Sequence, residues 1–392
     1  MWQGRQTWAE IDLDAIEHNV RELKRLVPPT TKMMAVIKAN AYGHGAVAVA
    51  AAARRGGAER FAVACVEEGI VLRQAGVTEP ILLLGAVSPG EADAVARFGL
   101  TSALATRQLA LALSAAGARH GVTVPVHVKV DTGMGRFGLL PSEVVPFVKG
   151  IVSLPRLDFE GLFTHFASAD EADKTYTRQQ LETYLGVVQA LAAEGIEVRI
   201  RHAANSAATM EVPEAHLDMV RCGIAIYGLW PSDEVRRSIP LRPAMTIKSR
   251  VARVRRLPEG ASISYGRTYV LPKPTAVALV PAGYADGVRR GLSNRGHVLI
   301  RGQRAPIRGR VCMDQFVVEV EHIPGVQQDD EVVLIGAQGE ERITAEEVGA
   351  LVGTINYEIT CGIAPRVPRL YRSGGALVGV DSLLERAFPL SF

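Results

Sequence analysis

In MMAVIKANAYGHG (residues 33–45) a single lysine closes an apolar run, and a glycine-containing turn follows it. Residues 33–37 have the unbroken apolar character of a strand covered on both faces. Lys38 stands at the C-terminal end of that run. The corresponding rim of a parallel sheet is where α/β enzymes carry their chemistry. A lysine partly withdrawn from water loses proton affinity and becomes a nucleophile toward carbonyl compounds. A second group of ionisable residues lies in VPVHVKVD (124–131), where Val126, Val128 and Val130 alternate with His127, Lys129 and Asp131. Alternation puts the valines on one face of the strand and the polar set on the other. If helices cover the valines, the polar set faces a barrel interior, where unpaired charges are costly. Two readings stay open: an ion-pair network that fills the barrel, or part of a working site. The following turn, DTGMGRFG, delivers Arg136 toward the same rim.

Other strand-like runs end in the same way. FEGLFTHFAS ends near His165, and RIRHAANSAA carries His202, Asn205 and Ser206. LDMVRCGIAIYG carries Arg221, followed by Cys222, Gly223 and Ile224. One strand-end histidine or arginine means little, but several sharing one mouth mean more. The loops after the seventh and eighth strands of such barrels often hold phosphate. Here they offer a serine hydroxyl and backbone N–H groups beside a glycine, which suit a phosphate dianion. A strand-end lysine, phosphate-suited loops and no metal-binding motif point to pyridoxal 5'-phosphate, whose aldehyde would condense with Lys38.

These residues need a scaffold, and the chain supplies one. Eight apolar runs between residues 33 and 221 alternate with helix-like segments such as RQLALALSAAGARHG and TYTRQQLETYLGVVQALAAEG. The second of these closes on Gly195, a natural helix terminator. The pattern predicts an N-terminal (β/α)8 TIM-like barrel over residues 1–235. An open doubly wound sheet is the alternative, but no GxGxxG follows any run. The proline-rich stretch 231–243 marks a change. Beyond it short strand-like runs recur with a single helical segment, TAEEVGALVG, which predicts a mostly β domain over 236–392. At 392 residues the chain exceeds one ordinary core. A net charge of +3 gives no reason to expect nucleic acid or a membrane surface as partner. Cys65, Cys222, Cys312 and Cys361 are far apart and lack metal-site spacing. They read as reduced thiols of a cytoplasmic protein without a metal site. The N-terminus has no apolar segment of the signal-peptide kind.

The quoted motifs also carry a resemblance. AVIKANAYGHG, HVKVDTGMGRFG, HAANSAA, RCGIAIYG, SISYGRTY, AGYADG, GRVCMDQ and INYEITCGIAPRVPR together resemble the alanine racemase family, in order and over nearly the whole chain. The resemblance implies pyridoxal phosphate as cofactor, L- and D-alanine as substrates and D-alanine for peptidoglycan as product. It also implies a homodimer with shared active sites. Lys38 would carry the cofactor and act as one base, and Tyr265 of the partner subunit would act as the other. Arg221 would donate to the pyridine nitrogen. Tyr42, Ser206, Gly223, Ile224 and Tyr357 would hold the phosphate. Arg136 would contact the cofactor phenolate and the substrate carboxylate, and the Met313 N–H would meet that carboxylate too. Lys129 matches a carbamylated lysine (N6-carboxylysine), whose anion would orient Arg136. His165, His202 and Asn205 would support the cofactor site. Ala364 departs from the pattern, which has serine there. The alternatives are a racemase of another amino acid, serine or basic, a related decarboxylase, and a non-catalytic pyridoxal phosphate-binding protein. Tyr265 and the C-terminal motifs oppose the last two.

Overall fold

The computed structural model describes residues 4–384. The chain packs into two compact units. One comprises Ala15–Ala41 and Ala46–Pro243; the other comprises the described parts of Met1–Asp14, Tyr42–Gly45 and Ala244–Phe392. The units are therefore not contiguous, unlike the single cut at 235/236 expected from composition. The first strand, β1 (Trp8–Asp12), belongs to the second unit.

The first unit is a parallel barrel of β2 (Lys32–Val36), β3 (Arg60–Val63), β4 (Ile81–Leu83), β5 (Thr101–Leu104), β6 (Val124–Lys129), β7 (Leu157–Phe163), β8 (Ile200–His202) and β9 (Met219–Cys222). The eight fall on the eight apolar runs. Each of β2 to β7 pairs with the next strand in sequence, and β9 returns to pair with β2. The remaining seam, between β8 and β9, is joined by Asp218 N–H to Arg201 C=O (3.1 Å) and Arg221 N–H to Ala204 C=O (2.9 Å). Helices follow the strands with legible ends. The helix Arg107–His120 starts on Thr106, whose hydroxyl accepts from Leu109 N–H, and stops at Gly121 with φ 68°. Val126 and Val128 are fully buried, and burial of such a side chain contributes about 1.5–3 kcal/mol.

The second unit is built on an 11-stranded sheet. It contains β1, β10 (Met245–Arg250), β11 (Arg253–Leu257), β14 (Thr275–Val280), β15 (His297–Ile300), β16 (Gln303–Arg308), β17 (Phe316–Glu319), β18 (Glu331–Gln338), β19 (Glu341–Ile343), β20 (Arg369–Ser373) and β21 (Ala376–Asp381). A two-stranded ribbon, β12 (Ser262–Ile263) with β13 (Tyr269–Val270), lies outside it. Strand β1 sits between β10, antiparallel, and β20, parallel: Ala9 faces Ile247 on one side and Arg369 on the other.

The chain leaves β2 through an uncommon turn. Ala39, Asn40, Ala41 and Tyr42 all have φ of 52–54°, a run of left-handed backbone that L-residues normally avoid. Hydrogen bonds hold it. Glu68 accepts from Ala39 N–H (2.6 Å) and Ala64 N–H (2.7 Å), Asn40 Oδ1 accepts from Ala46 N–H (2.9 Å), and Ala41 N–H reaches Ile37 C=O (2.9 Å). Each left-handed alanine costs roughly 1–2 kcal/mol, and the turn directly follows Lys38. Replacing exposed Ala39 by glycine relieves that strain without removing a buried group. Ala39→Gly should raise unfolding stability by about 1 kcal/mol. Ala48→Gly, inside the regular helix Ala46–Gly56, should lower it by a similar amount. Urea unfolding of both variants against the parent measures the difference in sign.

Candidate active site

Lys38 follows β2 directly, and two bonds fix the strand end before it. Ile37 N–H donates to Ala62 C=O (2.8 Å), and the Tyr227 hydroxyl donates to Val36 C=O (2.9 Å). Strand β9 runs beside β2 with Met34 opposite Arg221 and Ala35 opposite Cys222. The lysine and the arginine therefore stand at the ends of adjacent strands. His165 is held neutral chiefly by burial, with smaller contributions from the charges of Arg221, Lys129, Arg136 and, last, Lys38.

Arg221 is 3% exposed, and burial lowers its pKa to about 10, so it remains a cation at neutral pH. Its two Nη groups are engaged inside the barrel. Nη1 donates to His202 Nδ1 (3.0 Å), and Nη2 lies near Thr164 C=O (2.8 Å), Ala203 C=O (3.0 Å) and His165 Nδ1 (3.2 Å). None of these bonds uses Nε–H. Burial, joined by neighbouring positive charge, pushes His202 and His165 well below the usual imidazole pKa. Both serve as neutral acceptors. Phe163 stacks on His202 with ring centroids 4.9 Å apart.

Lys129 is also buried, at 6% exposure. Its Nζ donates to Val130 C=O (2.8 Å) and lies 5.5 Å from the Phe163 ring centroid. Burial, then the positive charges of Arg221 and Arg136, lower its pKa to about 7 against the pull of Asp131. A lysine near half-deprotonation at neutral pH is nucleophilic toward small electrophiles such as carbon dioxide. Asp131 does not join the barrel interior, as alternation had predicted. Its carboxylate accepts from the backbone N–H groups of Gly133 (3.0 Å), Gly135 (3.1 Å) and Arg136 (3.2 Å) and so shapes the turn. Arg136 is exposed.

Beyond β8, Ser206 opens the short helix Ser206–Glu211. Its Oγ accepts from Gly223 N–H (2.9 Å) and Ala225 N–H (3.4 Å), so the loop after β9 presents its amides to the loop after β8. Asn205 is the N-cap of that helix, accepting from Ala208 N–H (3.0 Å). Ile224 begins the next turn and is buried. Sequence reading passed over two ionised residues of this interior, Arg60 and Glu160. Arg60 donates twice to Glu160 (2.8 and 2.9 Å), and Glu160 contacts His127 (2.9 Å). A glutamate inside the apolar run DFEGLF was the available signal.

The remaining candidates lie in the β-rich unit. Tyr42 and Tyr357 have ring centroids 6.1 Å apart. The segment that carries Tyr42 is held by Arg369, whose Nε donates to Gly43 C=O (3.1 Å) while its Nη groups serve Ala364, Val367 and Ile363 carbonyls. Glycine is required at 43, where φ is 85° and a Cβ would lie 2.2 Å from Thr360 O. Ala364 contributes its backbone, through an N–H to Asp286 C=O (3.2 Å) as well as its carbonyl. The turn therefore holds with a methyl in place of a serine hydroxyl. Tyr265 is 73% exposed, and Met313 is 52% exposed with its carbonyl accepting from Ala285 N–H (3.0 Å). Arg366 bridges Asp286 (2.6 Å) and Asp314 (2.7 Å) beneath this loop. Among the described residues no helix is long and apolar enough to cross a membrane. No group of three or more His, Cys, Asp or Glu among them is arranged to hold a metal ion.

An amine, a buried guanidinium and a hydroxyl with loop amides at the strand ends of a parallel barrel, with a separate β-rich unit, define a two-unit barrel protein equipped for polar chemistry. Residues 11–231 match the family model "Alanine racemase, N-terminal domain", and residues 244–371 match "Alanine racemase, C-terminal domain". The chain belongs to the alanine racemase family. It is 53% identical over 367 residues to the alanine racemase of Symbiobacterium thermophilum, covering 94% of this chain and 97% of that protein. It is 51% identical over 368 residues to that of Carboxydothermus hydrogenoformans, covering 94% and 100%. The solved alanine racemase of Bacillus anthracis with bound L-Ala-P superposes with a TM-score of 0.93 at 40% identity, covering 98% of this chain and 100% of that one.

The depressed pKa of Lys129 has a thermodynamic consequence. Between about pH 7 and the ordinary lysine range the unfolded chain holds a proton that the folded chain has released. In buffer free of carbon dioxide, stability should therefore rise with pH across that window by on the order of a few kcal/mol from this group. Lys129→Met should remove that part of the rise. Denaturant unfolding at pH 7 and pH 10 for both proteins measures it, and equal slopes would contradict the assignment.

Proposed function

We propose that this protein interconverts L- and D-alanine with pyridoxal 5'-phosphate, working as a homodimer in the cytoplasm and supplying D-alanine for peptidoglycan. The observation that carries the reading is Arg221. It is a buried cation whose Nη groups are committed to the protein, while Nε–H takes no part in those bonds. That leaves a donor suited to an aromatic ring nitrogen. The other groups fit the same cofactor: Lys38 for its aldehyde, and Ser206 with the Gly223 and Ile224 amides for its phosphate. Tyr42 and Tyr357 offer phenol donors for the phosphate from the β-rich unit. When bound, the cofactor supplies an electron sink for the pair left behind as the substrate α-proton departs.

The protein side chains then manage protons and charge. Lys38 Nζ removes and returns the α-proton on one face, and Tyr265 Oη of the partner subunit does so on the other. Two bases on opposite faces invert the carbon without moving the substrate. A tyrosine of ordinary pKa about 10 needs donor or cationic neighbours to act near neutrality. His165 meets that need: with Nδ1 accepting from Arg221, its proton resides on Nε2. Arg221 keeps its own protons, so the ring nitrogen receives a hydrogen bond and not a proton, which restrains side reactions such as transamination. Arg136 and the Met313 N–H hold the substrate carboxylate. Lys129 carries a carbamate whose negative charge replaces repulsion of Arg136 with attraction. Bicarbonate should accordingly raise the unfolding midpoint of the parent and leave that of Lys129→Met unchanged.

Purified protein loaded with pyridoxal phosphate should racemise alanine in preference to serine, lysine or arginine, as followed by chiral chromatography. Equal or faster turnover of a basic amino acid would favour the other-substrate alternative. Lys38→Ala and Tyr265→Ala should each be inactive as pure proteins. Mixed under exchange conditions they should form heterodimers with one doubly altered and one intact site, so activity returns. No recovery in verified heterodimers would place both bases on one chain.

A further inference from the structure

One chain of contacts inside the barrel leads away from Arg221 to the far side of the interior. Arg221 Nη1 meets His202 Nδ1 at 3.0 Å, His202 Nε2 meets His127 Nδ1 at 2.6 Å, and His127 Nε2 meets Glu160 Oε2 at 2.9 Å. Arg60 closes the series with two bonds to Glu160 of 2.8 and 2.9 Å. His127 and His202 are completely buried. The protons along this series are determined at both ends. Arginine can only donate, so His202 Nδ1 bears a lone pair, and its proton lies on Nε2. That proton is given to His127 Nδ1, which in turn leaves the His127 proton on Nε2, facing the carboxylate. Reversing either ring would set two donors against each other at Arg221 or two acceptors at Glu160. A doubly protonated His127 fails for the same reason, because it would force a proton onto His202 Nδ1.

The backbone is shaped for this contact. Strands β6 and β7 pair Val126 with Phe159 and then His127 with Gly161, so Glu160 is an extra residue in β7. Such a bulge re-aims a side chain that regular alternation would direct elsewhere. The next residue has to be glycine. A Cβ at Gly161 would lie 2.7 Å from His127 Nδ1 and 2.8 Å from Ile200 O.

We infer that Glu160 is a positioning residue for Arg221, acting through His127 and His202 by holding both imidazoles in the Nε2–H tautomer. Its carboxylate, itself fixed by Arg60, selects which nitrogen of each ring is an acceptor and so where the guanidinium is anchored. The importance of this anchoring for turnover rests on Arg221 serving the cofactor ring nitrogen. The tautomer assignment does not.

The test is nitrogen-15 NMR of histidine-labelled holoenzyme, with signals assigned through His127→Asn and His202→Asn. In the parent, both residues should carry their proton on Nε2, and a proton on Nδ1 of either overturns the inference. In Glu160→Gln the amide oxygen is claimed by Arg60 and the amide N–H₂ faces His127. The ring protons should then shift toward Nδ1, and kcat should fall by about tenfold or more with KM little changed. A fall in kcat with both tautomers unchanged would mark Glu160 as a structural ion-pair residue and refute the positioning role. Should Glu160→Gln not fold, Glu160→Asp serves: a shortened carboxylate should weaken the His127 contact and lower kcat less than the amide does. A parent that fails to racemise alanine but shows both Nε2–H tautomers would sink the functional reading and leave the tautomer assignment standing.

Discussion

The barrel interior is organised by one unfavourable fact, the burial of the Arg221 guanidinium. Removing such an ion from water costs several kcal/mol unless acceptors replace the lost hydration. Two carbonyls and two imidazole nitrogens do so here. Burial first, and then this and the neighbouring positive charges, hold His165 and His202 neutral and bring Lys129 to lose its proton near neutrality. The carboxylate that answers this positive charge across the barrel is Glu160, held well below the ordinary carboxyl range by Arg60 and His127 despite its burial.

Order around Lys38, the proposed cofactor lysine, has a different origin. Hydrogen bonds at the end of β2 hold a strained backbone turn there. The left-handed run from Ala39 to Tyr42 turns the chain sharply after the lysine and delivers Gly43 to the carbonyl-rich nest around Arg369. Glu68 and Asn40 compensate the turn by accepting from the backbone N–H groups of Ala39 and Ala46. Strain of this sort persists only where the surroundings over-determine the conformation, and here side-chain acceptors bracket the turn.

Much of this was legible from the residues. Eight apolar runs became eight barrel strands because a sheet covered on both faces leaves a continuous hydrophobic signal. Alternation in VPVHVKVD placed His127 and Lys129 inside, and both are buried. The same rule failed two residues later, at Asp131, because a glycine turn begins there and its N–H groups claim the carboxylate. Glu160 was missed for a related reason: a bulge shifts the phase of alternation, so the glutamate within DFEGLF did not reveal which way it faces. Strand β1 was missed because its partners lie more than 230 and 350 positions away, beyond the reach of local pattern. The separation into units was blurred for the same reason, since short segments such as Tyr42–Gly45 change sides without any shift in composition.

A buried polar chain of this length is a poor way to stabilise a barrel. Apolar residues of similar volume would commonly fill the space as well or better, and the neighbouring strands show that this chain can supply them. What apolar packing cannot provide is direction. In the series from Glu160 to Arg221 each ring must donate on one side and accept on the other, and the same orientation is demanded from both ends. Arginine at the rim requires an acceptor, carboxylate at the far end requires a donor, and an even or odd number of imidazoles between them satisfies both. Substituting a neutral side chain at one end leaves the other end to set the orientation alone, and an amide that turns its N–H₂ toward the ring opposes it. The cost of burying the chain is therefore tied to the orientation of a single guanidinium, and a barrel strand is bulged and a glycine inserted to keep that orientation unique.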